Sequence, residues 1–109
     1  MTALDDREKG FEAQFKHGEE LRFRIHNRRN KLLGHWAAGL MKLPAPEVEA
    51  YVRDVVEAGL SGPGEPVHDR VHDDLHRHGI DLSDHRLQRK MDELLAVARE
   101  QVMSETKAA

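Results

Sequence analysis

Helical periodicity is the strongest constraint on how this chain folds. The first 43 residues contain no proline, and apolar residues recur at intervals of three and four between Leu21 and Met41. That spacing places them along one side of an α-helix. Three further stretches with the same spacing follow, separated by proline and glycine. Four such segments joined by short connections predict an all-α fold, a small antiparallel four-helix bundle.

Local signals predict where these helices end and begin. Gly59 is predicted to end the second helix in a left-handed conformation, with Leu60 packing back on the helix. Gly79 is predicted to end the third helix in the same way, with Ile80 folding back. Ser83 is predicted to cap the start of the fourth helix, because its hydroxyl can accept a hydrogen bond from a free backbone amide.

The segment before Leu21 differs from the rest of the chain. It is rich in charge, and its large apolar side chains are Phe11 and Phe15, four residues apart and therefore on one helical face. Gly10 and Gly18 weaken a helix here, since each costs roughly 1 kcal/mol relative to alanine. We therefore expect three parts: residues 1–20 as a flexible, conditionally helical arm, residues 21–103 as the bundle, and residues 104–109 as a disordered tail. A short aromatic pair of this kind is typical of a helix that binds in a partner's groove.

Composition excludes several classes of function. The chain has no cysteine, which rules out disulfides and thiol chemistry, and it has no run of about 18 apolar residues. No nucleophile motif or phosphate-binding glycine loop is present, so we expect no enzyme activity and no cofactor. Residues 21–46 carry six basic and no acidic residues, but the net charge is −3 and there is no nucleic-acid-binding signature. We expect a cytoplasmic protein that does not bind nucleic acid.

Three histidines, His68, His72 and His76, recur every four residues on the third helix. Imidazoles at this spacing can share a metal ion, but a closed zinc site needs four ligands. The plainer interpretation is a polar border to the adjacent apolar stripe, and we expect no metal. An alternative function remains open: a small pH- or metal-responsive regulatory helical bundle that uses these three histidines.

Three sequence words point to a known family: DDREK at 5–9, RRNKLLG at 28–34 and MDELLA at 91–96. In this order, and with Phe11, Phe15 and Trp36 between the first and the last, the whole chain resembles the zeta subunit. This subunit is the small inhibitor of the F-type ATP synthase of alphaproteobacteria.

The resemblance implies both a partner and a set of contacts. The partner would be the catalytic head of the F-type ATP synthase, with the amino-terminal helix inserted into an interface there to block ATP hydrolysis. The chain would then be a monomer when free, and peripheral on the inner membrane through the ATP synthase, without inserting into the membrane. The resemblance also leaves open a weak adenine-nucleotide site on the bundle. The residues that would contact the partner are Arg7, Glu8, Lys9, Phe11, Glu12, Phe15 and Lys16.

Overall fold

A computed structural model describes the backbone of residues 3–61 and 65–108, and the side chains of residues 18–61 and 66–107. Within these ranges the chain forms four α-helices: α1 (Ala3–Leu40), α2 (Ala45–Leu60), α3 (Glu65–Arg77) and α4 (Asp84–Ala108). The predicted all-helical four-helix bundle is confirmed. In α1 the helix runs unbroken across residue 20, the predicted border between arm and bundle.

Helix α1 lies between α2 and α4 and packs against both of them, while α3 packs mainly against α2. Helices α1 and α2 run antiparallel, as the contacts of Gly34 with Val52 and of Gly59 with Asn30 show, and so do α2 and α3. One large apolar cluster holds all four helices together, and a smaller one joins α1 to α4 through Ile25, Ala98 and Val102. The buried members of the large cluster are Leu33, Ala37, Met41, Val55, Val67, Val71, Leu75, Leu87 and Met91.

Two glycines allow α1 and α2 to approach closely. A methyl group on Gly34 of α1 would lie 3.0 Å from the Cα atom of Val52 in α2. A methyl group on Gly59 would lie 2.3 Å from Nδ2 of Asn30, which is buried. The prediction for Gly59 is therefore wrong. It lies inside α2, where its role is to leave room for Asn30, and the helix ends in right-handed conformation at Ser61 (φ −76°, ψ −9°). Leu60 does not pack back and is 62% exposed.

The carboxyl ends of α1 and α3 are closed in the same way. After α3, Gly79 has φ +75°, and the amide of Ile80 donates to the carbonyl of Leu75 at 2.9 Å, which confirms the predicted ending. After α1, the left-handed position is held by Lys42 (φ 55°), and the amide of Leu43 reaches back to the α1 carbonyls at 3.1 Å. A lysine in this conformation is unexpected, because side chains with a Cβ atom disfavour it.

The two ends of α4 give one confirmation and one correction. Ser83 accepts a hydrogen bond from the amide of Arg86 at 3.1 Å, which confirms the predicted cap. At the other end, the helix continues through Ala108, so residues 104–108, which were expected to belong to a disordered tail, are helical in the structure. The physical reason is a set of side-chain contacts between Glu105 or Thr106 and α1, which local sequence signals do not reveal.

Candidate functional site

The seven predicted partner contacts, from Arg7 to Lys16, all lie in the amino-terminal half of α1. Their backbone is helical, which matches the conformation that the arm was expected to adopt on binding. Their side chains fall outside the described part of the structure, so the anchor role of Phe11 and Phe15 stays a prediction. The first α1 side chain with a described contact in the apolar clusters is Leu21, after the exposed residues Gly18 to Glu20.

An exposed aromatic ring follows directly on the arm. Phe23 is 59% exposed, although it lies on the same helix as the buried residues Ile25 and Leu33. Single exposed apolar side chains are common on protein surfaces, and Phe23 differs from the others in lying beside the predicted arm. Phe23 lies three residues beyond the predicted arm, and only the structure shows that the bundle does not bury it.

Two arginines clamp α1 to the last turns of α4 immediately after the arm. Arg28 donates to Glu105 at 2.6 Å and to Gln101 at 3.0 Å. Arg24 lies 3.6 Å from the same carboxylate and 3.4 Å from the hydroxyl of Thr106. Exposed pairs of this kind are individually weak, but one carboxylate held by two guanidinium groups is a small network. The clamp fixes the point at which the arm leaves the bundle.

A buried carboxylate, Asp74, joins α2 to α3. It is 4% exposed, and it accepts hydrogen bonds from Tyr51 at 2.9 Å, from Arg70 at 2.9 Å and from Arg77. Burial would raise the pKa of Asp74, but these hydrogen bonds outweigh it, and the pKa lies below its ordinary value. Burial, together with the hydrogen bond to this carboxylate, raises the pKa of Tyr51.

Sequence reasoning missed this network. A signal was present: Asp74 lies between Val71 and Leu75, with arginines four residues before it and three after. Because every buried polar atom of the network is paired, its role is to hold α3 on α2. We assign it no functional chemistry.

The three spaced histidines do not act as a set. The rings of His68 and His72 stack with centroids 6.0 Å apart, and their Nε2 atoms lie 3.8 and 3.4 Å from one oxygen of Asp84 in α4. His76 lies apart from this pair, beside Arg77. In the part of the chain that the structure describes, no group of three or more histidine, aspartate or glutamate side chains has an arrangement suited to a metal ion. The pair connects α3 to the start of α4.

A shallow groove of about 470 Å³ is lined by Trp36 of α1 and by Arg86, Arg89, Lys90 and Glu93 of α4. Trp36 lies at the edge of the large apolar cluster, and the ammonium group of Lys90 lies 5.6 Å from the centre of its ring. An indole surrounded by cations is chemically suited to an anionic aromatic ligand. The weak adenine-nucleotide site that the resemblance leaves open stays a prediction.

None of the described helices has an apolar stretch long enough to span a bilayer. Among curated proteins, no match to the chain is found. The family model for ATPase inhibitor subunit zeta, by contrast, matches residues 1–101, which is nearly the whole chain. This family consists of inhibitor subunits and not of enzymes, and its name implies inhibition of an ATPase, the F-type ATP synthase. With its all-helical bundle and its long first helix, the chain belongs to the ATPase inhibitor subunit zeta family.

Proposed function

We propose that the chain inhibits ATP hydrolysis by inserting the amino-terminal half of α1 into an interface of the catalytic head of the F-type ATP synthase. The interface lies between the two types of large subunit. Inhibition requires no chemistry on this chain: the helix occupies a space that must open during turnover. The protein is then a monomer when free, and is held at the inner membrane by the ATP synthase on its cytoplasmic side.

One observation carries the proposal, namely the length of α1. It has 38 residues, while the next longest helix, α4, has 25. The described contacts of α1 with the bundle begin at Leu21, and Arg24 already lies beside Thr106, near the end of α4. The part of α1 from Ala3 to Leu21, the first residue with a described contact, therefore has a length of roughly 27 Å at 1.5 Å per residue. An amphipathic helix of this size is what a groove on a partner can accept.

Within this helix we assign separate roles to apolar and polar residues. Phe11 and Phe15 fill apolar pockets of the interface, because buried aromatic anchors dominate the energy of most interfaces. Arg7, Lys9 and Lys16 contact acidic groups of the head, and Glu8 and Glu12 contact basic ones. The arm becomes fully ordered only when it binds, and the cost of ordering lowers its affinity.

The test is a double substitution, Phe11→Ala with Phe15→Ala, measured as inhibition of ATP hydrolysis by purified ATP synthase. Each hot-spot truncation costs about 2 kcal/mol or more, so the pair should weaken inhibition well over tenfold. The matched control is Leu60→Ala, which removes an apolar side chain that is 62% exposed at the end of α2. The control should inhibit as well as the unmodified protein does. If the double-alanine protein does too, the anchors are wrongly assigned.

A further inference from the structure

Positively charged groups gather on one side of α1 just after the arm. Arg22, His26 and Arg29 follow at intervals of four and three residues, and thus share one helical face. Burial, followed by the charges of Arg29, Arg22 and Arg99, lowers the pKa of His26. Arg99, which belongs to α4, therefore lies close to the same imidazole. We call Arg22, His26, Arg29 and Arg99 the basic patch.

The basic patch differs from the neighbouring arginines in having no anionic partner. Arg24 and Arg28 share Glu105. For the members of the basic patch, no carboxylate lies within 4.0 Å among the side chains that the structure describes. Glu19, one turn earlier, is exposed and does not come within this distance of Arg22. The repulsion inside the basic patch is thus left uncompensated by close ion pairs in the described structure.

One member of the basic patch, Arg29, is a buried cation. Arg29 is 7% exposed, and its Nε atom donates to Oδ1 of Asn30 at 2.8 Å. Burial lowers the pKa of this guanidinium, and Asp92 offsets the effect only in part. Burying a cation among other cations costs stability. Residues that oppose stability in this way are typical of surfaces that are completed by a partner.

An apolar anchor adjoins the basic patch. Phe23, which is 59% exposed, directly follows Arg22 on the same helix that continues from the proposed inhibitory segment. Aromatic and arginine side chains are the residues most enriched at the centres of protein interfaces. The basic patch and Phe23 therefore extend the binding surface from the arm to the end of the bundle.

We propose that the basic patch and Phe23 form a second docking surface for the catalytic head, and that this surface binds an acidic segment that also carries an apolar side chain. This inference rests on the proposed function, because it takes the head as the partner. A protein segment fits better than a nucleic acid. The basic patch holds only four groups, whereas backbone binding needs an extended track of bases, and the next arginines along α1 are engaged by Glu105.

Charge reversal tests the surface in the full-length protein. Arg22→Glu together with Arg99→Glu should weaken binding to the purified catalytic head about tenfold or more, with a smaller loss at high salt. The matched control is a double reversal elsewhere, Lys31→Glu with Arg53→Glu, at two residues that are also exposed. It changes the net charge equally and should bind as the unmodified protein does. Because reversal relieves repulsion in the free bundle, the patch variant should unfold at the same or a higher denaturant concentration.

His26 supplies an independent readout. In the free protein the pKa of its imidazole is lowered by partial burial, by Arg29 and Arg22 on its own helix and by Arg99 on α4. The negative charge of an acidic segment raises the pKa of His26, so that binding is accompanied by proton uptake. Affinity should therefore increase about threefold or more from pH 8 to pH 6. His26→Gln should remove this part of the pH dependence while leaving the groups of the partner to titrate as before.

The outcomes separate the two proposals. If the Phe11 and Phe15 double substitution abolishes inhibition while the patch reversal binds normally, the arm stands and the second surface is refuted. If the patch reversal loses binding but the arm substitution does not, the docking surface stands and the insertion mechanism fails. Equal losses in the patch and control reversals refute the surface, since total charge would then be the cause. Loss of binding to a DNA oligonucleotide, with binding to the head unchanged, also refutes it.

Discussion

Asn30 and Gly59 face each other across α1 and α2 so closely that glycine is required at the second position. A methyl group on residue 59 would lie 2.3 Å from Asn30 Nδ2, and Asn30 is held in place by its hydrogen bond with Arg29. We expect Gly59→Ala to lower the free energy of unfolding by about 1–3 kcal/mol, because either the buried Asn30 side chain must shift away from Arg29 or the two helices must separate. Chemical denaturation measures this directly.

The control for that experiment is Asn30→Ala in the Gly59→Ala background. If the contact is the cause, the second substitution should cost much less in this background than in the unmodified protein, giving a favourable coupling of about 1 kcal/mol. Additive costs would mean that Gly59 is needed for a reason other than the position of Asn30.

Gly18 and Gly39 form a matched pair on α1. Neither would bring a methyl group within 4 Å of another side chain or backbone outside its own helix, so alanine at either position adds only helix propensity, about 1 kcal/mol. Gly39→Ala should stabilise the bundle without altering inhibition. Gly18→Ala should tighten inhibition by as much as about fivefold, because the arm loses less entropy on binding. Titration of ATP hydrolysis with each variant checks this, and equal inhibition by both would argue that the arm is already ordered when free.

Asp74 and Tyr51 should give the stability a predictable pH profile. The pKa of Asp74 is lowered in the folded state, so its contribution is present above the unfolded value of about 3.9 and is lost as the pH falls through the folded value. The pKa of Tyr51 is raised, so its contribution is present below about pH 10 and is lost at higher pH. Denaturant melts from pH 2 to pH 11 should show both losses.

Substitutions show which residue causes the loss of stability at each end of the pH range. Tyr51→Phe should remove the alkaline loss and cost about 1 kcal/mol at neutral pH. Asp74→Asn should flatten the acid limb, and it should cost more, since Arg70 and Arg77 lose their common partner. An unchanged acid limb in the asparagine variant would mean that other carboxylates control acid unfolding.

Lys42 occupies a position that glycine would adopt at a lower cost in conformational free energy. Its φ of 55° is left-handed, where a Cβ atom costs roughly 1–2 kcal/mol. Lys42→Gly should therefore stabilise the protein by about 0.5–1 kcal/mol, once the greater freedom of glycine in the unfolded chain is subtracted. Lys42→Ala, which keeps the Cβ atom, should leave the denaturation midpoint nearly unchanged. A gain of equal size from alanine would point to the lysine charge instead of the backbone.

The last turns of α4 should be protected from hydrogen exchange although they end the chain. Arg28 and Arg24 hold Glu105, and we expect slowed exchange of the α4 amides as far as about Thr106. Glu105→Gln should speed that exchange and lower the unfolding free energy by about 0.3–1 kcal/mol at low salt. Equally fast exchange in both proteins would restore the original expectation of a disordered tail.

The sequence predicts those features that depend on neighbours along the chain. The Ser83 cap and the Gly79 ending need only residues within one or two turns, and both predictions are confirmed. Gly59 shows the limit: glycine suits both a helix end and a close approach between helices, and only the position of Asn30 in another helix decides between them. The partners of Asp74 from α2, and the contact of Glu105 with α1, are likewise long-range and leave little trace in local patterns.

The candidate site likewise has a part that the sequence predicted and a part that only the structure shows. The resemblance identified the family over nearly the whole chain, and the family model agrees over residues 1–101. It did not reveal the exposure of Phe23 or the convergence of Arg99 on His26, because both depend on where α2 ends and how α4 packs. The residues of the arm itself, from Arg7 to Lys16, remain assigned by the resemblance and by their spacing.

Since the proposed inhibitory segment and the part of α1 that packs in the bundle belong to one unbroken helix, their rotation about the helix axis is linked. Each residue turns a helix by about 100°, so the direction in which Phe11 and Phe15 face is set relative to the bundle by the number of residues between them and Leu21. A single inserted residue after Gly18 would keep the composition of the arm but swing its aromatic face by more than a quarter turn. The packed bundle would thereby set the angle at which the proposed inhibitory segment enters its partner.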